Sequence, residues 1–204
     1  MEFTKERVEL KTSDNVTVFG SYYPSGEKGV ILLHQLGLDR RSWDTFAKIL
    51  QQQGFSVLAI DFRGHGESQG KWQSFTNKDF QAMLLDAKAA GTFLHKKEKN
   101  VSAVLGASIG ANTAFRYSSE FKVPAVLLSP GLEYRGIDIN NITSTAPTLI
   151  IVSEGDTYSA DSSKELDANN LFGTHSLVVL PGDKHGTYLL PTAEDSILSF
   201  LEQT

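Results

Sequence analysis

Ser108 lies at the centre of Gly106-Ala-Ser-Ile-Gly110, with the apolar run 101–105 on one side and a helix-forming stretch on the other. A serine on a sharp strand-to-helix turn has its hydroxyl lifted clear of the sheet, and the small residues around it let the two elements pass closely. A hydroxyl attacks a carbonyl at neutral pH only beside a base. That base needs an acid to hold its tautomer and stabilise its charged form. The chemistry indicated is nucleophilic acyl transfer. His185, in Pro181-Gly-Asp-Lys-His-Gly186, follows the run 176–180 and is the candidate base. His175 is the other late histidine, but it precedes that run and falls at the opposite edge of a sheet from Ser108. His34, His65 and His95 lie at a strand end, in an early turn and at a helix end, where structural or surface roles suit them better. Asp156, in Ser153-Glu-Gly-Asp156, follows the run 148–152 and is the best placed acid, with Glu154 and Asp161 as rivals. The backbone N–H of Ile109, opening the helix after Ser108, is one expected donor to a developing oxyanion.

These groups must be carried by strands and helices that bring them to one place. The runs 8–10 and 16–22, separated by Thr12-Ser-Asp-Asn15, read as an opening hairpin. The runs 30–33, 56–60, 101–105, 125–128, 148–152 and 176–180 are continuously apolar, as strands buried on both faces are. Trp43, Phe46, Ala47 and Leu50 mark a helix capped by Ser42 and stopped at Gly54. Phe80, Met83, Leu84, Ala87, Gly91 and Leu94 mark a second, longer one. Further helices are expected from Ser108, near Ser162, and after Pro191-Thr192, where Thr192 and Asp195 resemble a capping box. Strands alternating with helices predict an α/β fold with a mostly parallel sheet of about eight strands, covered on both faces. Ligands then bind at the carboxyl ends of the strands.

Composition limits the alternatives. A chain of 204 residues suits one domain, 1–204. With 40% hydrophobic and 21% charged residues it is a globular sequence, and no tract is long enough to span a bilayer, so integral membrane association is not expected. A net charge of −5 argues against a nucleic-acid partner. Cysteine is absent, which excludes disulfides, a thiolate nucleophile and cysteine-ligated metal. The stretch 1–7 lacks the order of a secretory leader, so the expected location is cytoplasmic, and the sequons at Asn15, Asn100 and Asn141 carry no weight there.

The strand-Gly106-x-Ser108-x-Gly110-helix pattern, followed by an acid and then a histidine, resembles the α/β-hydrolase superfamily. The resemblance runs from the opening hairpin through His34-Gln-Leu-Gly37 and Asp61-Phe-Arg-Gly-His-Gly-Glu-Ser68 to the closing helix. It is nearest to small, cap-poor serine hydrolases of the esterase, lysophospholipase and dienelactone-hydrolase-like kind. It implies a second oxyanion donor, the backbone N–H of Leu36, in a loop where the superfamily more often has glycine at the Gln35 position. It also departs at the acid, where Ser153 stands for the usual glycine. The turn 61–68 lacks the lysine and spacing of a phosphate loop, and the resemblance makes it a brace for the active-site face. Arg40 and Arg41 read as a solvated helix entrance.

Only 130–147 separates the strand ending near Ser129 from the next, which leaves room for a loop and a helical turn but not for a cap. Leu38, Leu132, Tyr134, Tyr158 and Tyr188, with Leu36, are the candidate pocket residues. The expected reaction is hydrolysis of a small-molecule ester or thioester of short to medium chain, with no metal or organic cofactor. The alternative from another class is a catalytically silent module that binds a small ligand in the same pocket.

Overall fold

The apolar runs become strands because each is long enough to pair and has side chains for two cores. A computed structural model describes residues 4–169 and 173–204; the first three residues of the stretch read for a leader lie outside them. In chain order the elements are β1 Glu6–Lys11, β2 Thr17–Tyr23, β3 Lys28–Leu33, α1 Asp44–Gln52, β4 Ser56–Ile60, α2 Asn77–Gln81, α3 Met83–Lys96, β5 Asn100–Ala107 and α4 Ile109–Phe121. There follow β6 Ala125–Leu128, β7 Glu133–Tyr134, β8 Ile137–Asp138, β9 Thr148–Ser153, α5 Thr157–Ala168, β10 His175–Leu180 and α6 Leu190–Glu202.

Among the described residues eight strands form one sheet in the order β1-β2-β4-β3-β5-β6-β9-β10. β2 is antiparallel to both of its neighbours, and the other pairs are parallel. Alternation along each strand divides the apolar runs between the faces. Ile31 and Leu33 of β3 join α3 and α4 in one core, while Val30 and Leu32 join α1 and α6 in the other. Each fully buried side chain of this kind contributes about 1.5–3 kcal/mol. The α/β-hydrolase architecture expected from the sequence is therefore the observed one, with no cap domain. Among the described residues no helix is long and apolar enough to cross a membrane.

Element ends differ from the sequence reading in five places, each with a local cause. Ser42 does not cap α1: a 3-10 turn, Arg40–Trp43, precedes that helix, capped by Asp39, whose carboxylate accepts from the Arg41 N–H. The second helix is two, because the backbone flattens at Ala82 (ψ −8°) after a capping box formed by Thr76 and Asp79. Phe80, Met83, Ala87 and Leu94 still enter one core, so the periodicity reads straight through the break. The fourth helix begins at Thr157, well before Ser162, directly after Asp156. In α6, Thr192 makes no capping box; its hydroxyl donates to Leu189 O at 3.0 Å, and Pro191 occupies the first turn. Finally, 130–147 holds the hairpin β7–β8 instead of a helical turn. Its two-residue loop, Arg135-Gly136, has φ of 51° and 83°, the left-handed pair that such hairpins require.

Candidate active site

Ser108 joins β5 to α4 with φ 54° and ψ −120°, a conformation a non-glycine residue rarely adopts. The surrounding backbone holds it there: its N–H donates to Leu128 O at 2.8 Å. A methyl on Gly106 would stand 2.0 Å from Gly110 O and 2.7 Å from Ala111 N, and one on Gly110 would stand 2.4 Å from Leu33 O. All of these neighbours are main chain of the central strands and the helix, so none can swing aside. Gly106→Ala and Gly110→Ala are each expected to destabilise the fold by about 4 kcal/mol or more. Chemical denaturation checks this, and a loss under about 1 kcal/mol would contradict the packing account.

The strands β9 and β10, parallel to β5 through β6, deliver the other two groups to the same carboxyl end of the sheet. Asp156 follows β9, and His185 follows β10, with Nδ1 of the imidazole 2.7 Å from Asp156 Oδ2. A carboxylate at Nδ1 keeps the proton on that nitrogen and leaves Nε2 as the acceptor. Asp156 has the side chain of a good helix cap and sits at the cap position of α5, yet it makes no capping bond. Its carboxylate is committed to His185. Glu154 is exposed, and Asp161 is exposed beside Lys164 on α5, so neither is brought to the imidazole. His175 pairs with Asp167 at the start of β10, His95 ends α3, and His65 is buried with its ring stacked on Trp72.

Ile109 is the first residue of α4, and its N–H has no acceptor within the helix. Leu36 lies in the loop after β3, where a turn closes through Leu38 N–H to Gln35 O at 3.2 Å. Among the described residues the Leu36 N–H meets no acceptor. The loop is held from below by His34, which is fully buried. Its Nδ1 lies 2.7 Å from Gln35 O and its Nε2 accepts from the Phe62 N–H at 3.0 Å. Burial, with His65 nearby, pushes the His34 pKa down to about 3.

The turn 61–68 braces this face. Asp61 accepts from the Arg40 and Glu67 N–H groups at 2.8 and 2.9 Å and from the Arg40 guanidinium. Arg40 is consequently buried, also bonded to Ser21 and Glu67, and is not the solvated entrance read from the sequence. Arg41 remains exposed and pairs with Asp39.

The candidate pocket residues fall into two groups. Leu38 and Tyr188 line a cleft of about 360 Å³ with Gly37, Asp39, Ser42 and Thr187, beside the Leu36 loop and the His185 loop. Leu132, Tyr134 and Tyr158 belong to the packing of the β7–β8 hairpin. Asn112 of α4 bonds Gly131 and Ile137, and the Tyr158 hydroxyl donates to Glu133 O at 2.8 Å. The Tyr134 hydroxyl lies 3.0 Å from Ser159 Oγ; burial raises its pKa, and hydrogen bonding to Ser159 and Ser108 opposes that rise.

Three polar residues beside the site carried little sequence signal. Gln35 Oε1 accepts from Thr187 N–H and Oγ1 at 2.8 and 3.1 Å, and Ser129 Oγ accepts from the Gly186 N–H at 3.0 Å. The one available clue was glutamine in place of the usual loop glycine. Among the described residues no group of three or more His, Asp or Glu side chains is placed to hold a metal ion.

Residues 25–149 match the family described as serine aminopeptidase, S33. The AB hydrolase superfamily protein YisY of Bacillus subtilis is 28% identical over 108 residues, 53% of this chain and 38% of that protein. The chain thus spans well under half the length of that relative. The Pyrococcus furiosus esterase Pf2001 superposes with a TM-score of 0.82 at 24% identity, covering 98% of this chain and 91% of that one. An esterase of Thermogutta terrifontis gives 0.75 at 17% identity, covering 97% and 98%.

Proposed function

Because the chain belongs to the serine aminopeptidase S33 family, within the α/β-hydrolases, we propose that it is a serine hydrolase that cleaves short to medium carboxylic esters or thioesters through an acyl-enzyme. The observation that carries this reading is the His185–Asp156 bond of 2.7 Å, formed at the carboxyl end of the parallel strands, the end at which Ser108 is held at φ 54°. Ser108 Oγ attacks the acyl carbon as His185 Nε2 takes its proton. Asp156 stabilises the imidazolium. The N–H groups of Leu36 and Ile109 bind the oxyanion, and their fixed orientation needs no rearrangement as charge develops. His185 then gives its proton to the leaving alcohol or thiol; in deacylation it takes a proton from the attacking water and returns it to Ser108 Oγ as the carboxylic acid leaves.

The cleft of about 360 Å³ beside Leu38 and Tyr188 is at the small end for ligand sites and suits a modest acyl or alcohol group. The fold likeness to two esterases supports the ester reading, although the geometry of these groups does not encode the leaving group. A fluorophosphonate probe tests the proposal, since attack at phosphorus with loss of fluoride needs an activated serine and no particular acyl group. Wild type is expected to be labelled and Ser108→Ala to remain unlabelled. A folded wild type that takes no label would leave a ligand-binding module as the better account.

A further inference from the structure

We propose that Gln35 is a positioning residue whose carboxamide clamps the loop carrying His185 to the loop carrying Leu36, so that general base and oxyanion donor share one support. The inference rests on the acyl-transfer reading above and adds a residue to it. Gln35 is 7% exposed, and its side chain reaches a segment 152 residues away in sequence. Both donors of Thr187, the backbone N–H and the hydroxyl, point at Oε1. That arrangement fixes which way the amide faces, because the reversed amide would set its NH₂ against the Thr187 N–H, which can only donate.

The clamp is rigid at both ends. On its own side, the Gln35 carbonyl takes the Leu38 N–H and the His34 ring, so the residue before Leu36 cannot rotate freely. On the far side, the carboxamide packs directly on Gly186, the residue after His185. A methyl there would come within 2.1 Å of Gln35 Oε1, and Gly186 has φ 59°. Glycine at 186 is thus required twice, by its own backbone and by the space that Gln35 fills. The Gly186 N–H is tied in turn to Ser129 Oγ at the end of β6. His185 therefore reaches its place between a carboxylate bond at its ring and three hydrogen bonds just after it in the chain.

A glutamine that merely filled space would be replaced well by an isosteric side chain. A clamp would not. In purified full-length protein, Gln35→Met keeps the volume and removes the acceptor; kcat is expected to fall about a hundredfold, the loss associated with a misplacement near 1 Å, with KM changing little. The second-order rate of Ser108 labelling by a fluorophosphonate should fall in parallel. Gln35→Glu restores an acceptor for Thr187 and recovers most of kcat. Its charge, added beside the loop where Asp156 already faces His185, should move the acid limb of kcat/KM up by about one pH unit. Folding is followed by circular dichroism, and if Gln35→Met does not fold the Gln35→Glu profile decides alone. Wild-type kcat and labelling rate in a folded Gln35→Met, or an unmoved acid limb in Gln35→Glu, would overturn the clamp. Absence of labelling in wild type would instead remove the acyl-transfer reading on which it rests.

Discussion

Ser108→Ala and His185→Ala are each expected to lower kcat by on the order of a millionfold, and the double variant to be no worse than either. In the proposed mechanism Ser108, His185 and Asp156 work as one device: without the base the Ser108 hydroxyl keeps its proton, and without the hydroxyl the base has nothing to activate. Asp156→Asn tests a different element. The 2.7 Å bond holds the proton on His185 Nδ1, whereas an amide in that place can offer its own N–H and favour the other tautomer. A loss of roughly ten-thousandfold is expected, smaller than for Ser108 because the imidazole remains present. The residual rate should stay well above that in water, since the N–H groups of Leu36 and Ile109 are untouched. Steady-state turnover of an activated ester measures all four variants. A loss under about tenfold in His185→Ala would sink the base assignment, and the same in Asp156→Asn would return Glu154 and Asp161 to consideration.

What could be read from the sequence follows from how local each feature is. The strands are legible because continuously apolar runs have no polar face to offer water; five of the six are covered on both sides, while 176–180 forms the edge strand β10 and leaves Val179 45% exposed. Helix interiors are legible from the i, i+3, i+4 spacing of one buried face; their ends are not. Asp156-Thr157 passes as a helix start on residue type, and the helix indeed begins there, five residues before Ser162. What residue type does not reveal is that Asp156 turns its carboxylate to His185 and makes no capping bond. Arg40 was misread because its partners Asp61, Glu67 and Ser21 are remote in the chain, and only the fold buries it. Gln35 and Thr187 stand in the same relation. A hydrogen bond across 152 residues leaves no periodic trace, so the polar groups that set the loops were invisible while the groups they set were plain.

Acid should draw stability from a buried imidazole well before the ion-paired surface carboxylates protonate. His34 is fully buried, with Nδ1 near Gln35 O and Nε2 accepting from the Phe62 N–H. A second proton would place N–H against N–H at a fully buried position and add a buried charge. Burial accordingly pushes its folded pKa down to about 3, against about 6.5 in an unfolded chain. The sign follows: between these values the unfolded state binds a proton that the folded state refuses. The stability that His34 contributes is therefore fully present above about pH 6.5 and falls by about 1.4 kcal/mol per unit as pH drops toward 3, while Asp86, whose carboxyl burial pushes up to about 6, works in the opposite direction between about pH 6 and 4. His65, lowered for the same reason as His34, adds in the direction of His34. Asp14 and Glu67 enter later. Their pKa values are held down at about 2 by Arg63 and by Arg40 with Arg7, so their support is lost only as pH falls from about 4 toward 2. Between pH 7.5 and pH 4.5, urea denaturation should show wild type losing about 2–3 kcal/mol more stability than His34→Gln, a difference in which the opposing effect of Asp86 cancels. His34→Gln keeps an acceptor for the Phe62 N–H but cannot titrate; it should be less stable at pH 7.5 and lose much less on acidification. An equal loss in both proteins would move the acid lability elsewhere. A flattened profile would tie it to the residue that supports the Leu36 loop, so that acid would disturb the oxyanion donor and the fold through one imidazole.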